Sequence, residues 1–72
     1  MSFNAYLTNI EAKTGKSADD LRTEAMAKGL ADEAGLKAGV KAGQVVDWLK
    51  TEYDLGHGHA MAIVAYLKGK RD

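Results

Sequence analysis

The spacing of the glycines constrains this chain more than any other feature. Eight glycines and no proline occur in 72 residues. Between the glycines lie short segments with the 3.6-residue apolar period of amphipathic helices, and a glycine follows each segment where a helix needs a left-handed exit. From Phe3, the residues Tyr6, Leu7, Ile10 and Thr14 recur on one face and leave Asn4, Thr8 and Glu11 off it. That describes a first helix with Ser2 as its N-cap and Gly15 as its stop. Ser17-Ala18-Asp19-Asp20 opens a second, with two carboxylates at the positive end of the helix dipole, and Gly29 closes it after Lys28. Its apolar stripe is narrow, Leu21 and Ala25 with Met26 at the margin, which makes it the least firmly held element.

Residues 30 to 42 carry Gly35, Gly39 and a doubled Lys-Ala-Gly, and they read as a connection with room for one helical turn. A third helix is expected from Lys41 to Asp54. Val45, Val46, Leu49 and Tyr53 share one of its faces with Trp48 at the edge, opposite Asp47, Lys50 and Asp54. The run Gly56-His57-Gly58-His59 reads as the turn into a fourth helix, Ala60 to Lys68, ended by Gly69. Ala60, Ile63, Val64 and Leu67 form its main stripe, but Ala62 and Ala65 stand on the other side where charges would be usual. A helix apolar nearly all round is central in its fold or covered by another molecule. The expected architecture is an all-α, compact bundle of about four short helices, the last two joined by a Gly-His-Gly-His turn.

Size and composition narrow the function. A chain this short buries only roughly 60% of the surface its unfolded form exposes, so every large apolar side chain counts. No cysteine is present, which removes disulfides, thiolate nucleophiles and Cys-ligated zinc together. Apolar residues at 46% and charged ones at 28% match a folded globular protein. No linker, signal peptide or transmembrane segment is legible, so residues 1–72 read as a single cytoplasmic helical domain. Ten basic and ten acidic side chains cancel, and zero net charge disfavours a nucleic-acid or membrane partner. The second half, from residue 37, carries six basic and four acidic groups, and any anionic partner would be met there.

Val40-Lys41-Ala42-Gly43, Trp48-Leu49-Lys50 and Leu55-Gly56-His57-Gly58-His59-Ala60-Met61-Ala62-Ile63, with the opening Phe3-Asn4-Ala5-Tyr6-Leu7 and Ile10-Glu11-Ala12-Lys13-Thr14-Gly15-Lys16, together resemble a bacterial family known only as a domain of unknown function. The resemblance spans nearly the whole chain, and Leu-Gly-His-Gly-His-Ala is its most specific piece. It implies a small cytoplasmic domain and carries no activity, substrate or catalytic residue with it.

Several readings of the Gly-His-Gly-His element compete. As an anion or nucleic-acid site, Gly56, His57, Gly58 and His59 would offer close backbone approach, unpaired amides and imidazole donors, with Lys41, Lys68, Lys70 and Arg71 adding positive charge. Gly56-x-Gly58-x-x-x-Ala62 also resembles the hairpin of helix-hairpin-helix DNA-binding modules, although His57 stands where those modules carry an aliphatic residue. As a metal site, His57 and His59 with Asp54 supply suitable ligand types, but too few for a closed shell. As a purely structural element, Gly56 would end the third helix in a left-handed conformation, Gly58 would allow close packing and a histidine would cap locally.

Catalysis has little support, because Ser2 and Ser17, the only serines, are better explained as caps, and no cofactor is implied. The remaining candidates are interface residues. Trp48 at a stripe's edge reads first as a partly buried core residue and otherwise as a binding anchor, and Met61 with Ala62 and Ala65 could form a flat apolar patch for a partner helix. Two functions follow as expectations: a non-enzymatic interaction module that self-associates or docks a protein through helices three and four, or a nucleic-acid or phosphate binder using the Gly56–Ala60 helix N-terminus.

Overall fold

The caps decide where the helices begin. In the computed structural model, which describes residues 2–71, α1 spans Phe3–Thr14 and α2 spans Ala18–Ala27. Ser2 accepts from the Ala5 amide at 3.1 Å, and the left-handed Gly15 (φ 75°) returns its N–H to Glu11. At α2 a full capping box forms: Asp20 N–H donates to Ser17 Oγ while Ser17 N–H donates to Asp20 Oδ2, both at 3.1 Å. Two donors orphaned by the helix start are satisfied reciprocally.

The connection departs from expectation. It holds no helical turn but a two-stranded antiparallel hairpin, β1 (Ala31–Asp32) and β2 (Gly35–Leu36), with Ala31 opposite Leu36 and Asp32 opposite Gly35. Asp32 Oδ1 accepts from the amides of Ala34 and Gly35 and so closes the bend with its own side chain. Gly35, at φ 139°, lies where a Cβ would meet Leu67 O and the Lys68 Cα at 3.7 Å. The backbone conformation there, more than the space, requires glycine.

Helix α3 spans Ala42–Tyr53, with the Lys41 amide donating to Gln44 Oε1, and α4 spans His57–Leu67. The boundary between them corrects two expectations. Asp54, not Gly56, takes the left-handed exit from α3 (φ 54°), and Gly56 is extended as the N-cap of α4. His57, Gly58 and His59 are therefore the first turn of the last helix. The actual joint is Asp54-Leu55-Gly56, where Leu55 is buried and Lys13 Nζ donates to the Asp54 carbonyl at 2.6 Å.

Helix α4 is the hub, packing against α3, α1, α2 and β2. Its Ile63 and Val64 join Ile10, Leu21, Val45 and Leu49 as the largest fully buried side chains, each stabilising by about 1.5–3 kcal/mol. Among the described residues no charged side chain is buried. The near-continuous apolarity of α4 is thus largely accounted for inside the molecule. No helix among the described residues is long and apolar enough to cross a membrane.

Candidate functional site: a groove between the first and last helices

What α4 leaves uncovered is one stripe, and α1 turns it into a groove. Gly58, Met61, Ala62 and Ala65 recur at i, i+3, i+4 and i+7 along α4, while Phe3 and Tyr6 supply the facing wall from α1. Lys70 closes the rim, its ammonium 5.3 Å from the centre of the Phe3 ring. The groove is shallow and open to solvent, with a volume of about 460 Å³, and runs roughly 10 Å along the helix, the rise of seven residues. Its floor is low because glycine and alanine line it. Met61, 38% exposed, is the large apolar side chain most open to water among the described residues.

The sequence candidates divide sharply at this surface. Met61 stands at the groove, and Ala65 is half-buried along it. Ala62 lines the groove too but is buried, so it contributes shape more than contact area. Trp48 is not part of it: the residue is 9% exposed, and its Nε1 donates to Glu52 Oε2 at 2.8 Å. That hydrogen bond, with Lys28 Nζ 3.2 Å from the other Glu52 oxygen, holds the Glu52 carboxyl below the usual carboxylate range. An indole buried in this way is a core residue, the reading its place at the stripe's edge favours, and not an interface anchor.

The histidines do not converge. Two residues apart on a helix, their side chains leave about 200° apart around the axis, so the first turn of α4 sends them to different sides. His57 is exposed, whereas His59 is half-buried with its ring edge-on to Tyr6 at 5.0 Å between centroids. Among the described residues no three His, Asp or Glu side chains come together in a way that could hold a metal ion.

The cationic candidates are also dispersed. Lys68, Lys70 and Arg71 follow the C-terminal end of α4, about 16 Å from the Gly56 end for an eleven-residue helix. Lys41 is the N-cap residue of a different helix, α3. Arg71 is already engaged, its guanidinium 3.9 Å from the Tyr66 ring centre and donating to the Tyr66 carbonyl at 2.9 Å.

Two tyrosine–carboxylate clamps that the sequence does not announce tie α3 and α4 to α2. Tyr53 Oη lies 2.7 Å from both oxygens of Glu24 and ties α3 to α2. Burial first, and then the Glu24 carboxylate, push the Tyr53 hydroxyl up to about 12. Tyr66 donates to Asp19 at the start of α2, and this bond, more than burial, raises its pKa. Nothing local in the sequence marks either pair, since 29 and 47 residues separate the partners.

Residues 2–69 match the family described as Domain of unknown function (DUF4287). The chain belongs to that family. Membership extends over all four helices and so includes both walls of the groove, but not its rim at Lys70. No curated protein and no solved structure matches the chain.

Proposed function

We propose that this DUF4287 domain is a non-catalytic, cytoplasmic interaction module that docks a protein partner in the groove between α1 and α4. The observation that carries the reading is the placement of Met61. Most of the large apolar side chains are drawn into the core, whereas this one stays open beside a floor of small residues and two aromatic rings. A flexible, polarizable methionine beside low-relief surface adapts well to a partner's side chains. The contact face keeps α4 of the α3–α4 pair expected from the sequence and exchanges α3 for α1, because the apolar residues of α3, Val45, Val46, Trp48 and Leu49, are buried.

Selection of helical peptides from a random library against the folded chain tests this. Binders should converge on one surface, with amide shifts at Phe3, Tyr6, Met61 and Ala65, and should lose affinity for Met61→Lys. Binders mapping elsewhere, or none emerging, would refute it. The competing reading, nucleic-acid contact through Gly56–Ala60 and the lysines, draws less support because Lys68, Lys70 and Arg71 follow the opposite end of α4 from the Gly56–Ala60 amides and Arg71 is engaged by Tyr66. It requires binding that weakens steeply as salt rises, and absence of binding at low salt ends it.

A further inference from the structure

Resting on the docking surface just described, we infer that the partner segment is an amphipathic helix bearing an acidic residue beside its apolar stripe. Shape supplies the first half of the argument. A trough flanked by two helices, with small side chains on its floor and a length of about two helical turns, accepts a third helix as bundles do. Gly58, Ala62 and Ala65 let an incoming axis come close, and Met61 and the Phe3 and Tyr6 rings form ridges that fit between its side chains.

Charge supplies the second half. Among the described residues, Lys70 is the one charged group lining the trough and no carboxylate lines it. A carboxylate on the partner would meet that ammonium at the rim, where the pair stays solvated and mainly sets orientation and choice of partner. The same lining argues against a second copy of this chain, which would bring no carboxylate to Lys70 from this face among the described residues.

Two synthetic peptides about four turns long, with one Leu/Ala stripe and either glutamate or lysine flanking it, provide the test. Each is titrated into the full chain, with binding followed through backbone amide shifts. The glutamate peptide should shift Phe3, Tyr6, Gly58, Met61 and Ala65 and bind about two- to fivefold tighter, the range for one exposed ion pair. That preference should shrink as salt rises and reverse in Lys70→Glu. Equal affinities with shifts at the groove would overturn the acidic-partner inference and leave the docking surface standing. Absence of groove shifts with either peptide would overturn both, and a concentration-dependent dimer formed through the groove without peptide would show that a second copy is the occupant.

Discussion

Single residues at element ends set much of the local free energy. Asp54 holds a left-handed conformation that a side chain disfavours by about 1 kcal/mol. Asp54→Gly is therefore expected to raise the chemical-denaturation midpoint, by up to about 1 kcal/mol in stability. Ser17→Ala removes one half of the α2 capping box and should cost about 1 kcal/mol by the same measurement. Tyr53 gives a pH signature. Its folded pKa, about 12, lies above the ordinary value of 10.0, so its contribution is complete below pH 10 and is lost as pH rises towards 12. A urea midpoint followed across that window should fall, and Tyr53→Phe should flatten part of the fall while Tyr66 retains its own share.

At the scale of elements, strong local caps are legible in the sequence, whereas weak local signals and contacts that depend on distant packing are not. Ser2, Ser17, Gly15 and Gly29 announce the first two helices through contacts within one turn. The hairpin escaped because Ala31 to Leu36 shows no alternation, and its one local signal is Asp32 three residues before Gly35, an acceptor placed to close a bend. The start of α4 was set too late because glycine is a poor helix former, at about 1 kcal/mol relative to alanine. Two glycines in one turn read as a loop, but Asp54 had already made the turn. The groove lay further from reach: Gly58, Met61, Ala62 and Ala65 have a legible spacing, whereas the wall of Phe3 and Tyr6 exists only once α1 packs on α4. The two faces of α4 should answer mutation differently. Ile63→Ala, in the core, should cost about 2–5 kcal/mol and leave little folded protein, as read by circular dichroism on heating.

For the whole molecule, a radius of gyration of 10.8 Å and a handful of large buried side chains leave a slender stability margin. Every core-forming side chain is needed, so a surface substitution that abolishes binding without cost to folding is the sharpest probe of purpose. Isothermal titration of one selected helical peptide into the native chain and into Met61→Lys, each accompanied by a thermal melt, makes that comparison. The account predicts stabilities equal within about 0.5 kcal/mol and binding lost only in the variant. Undiminished binding by Met61→Lys would contradict it.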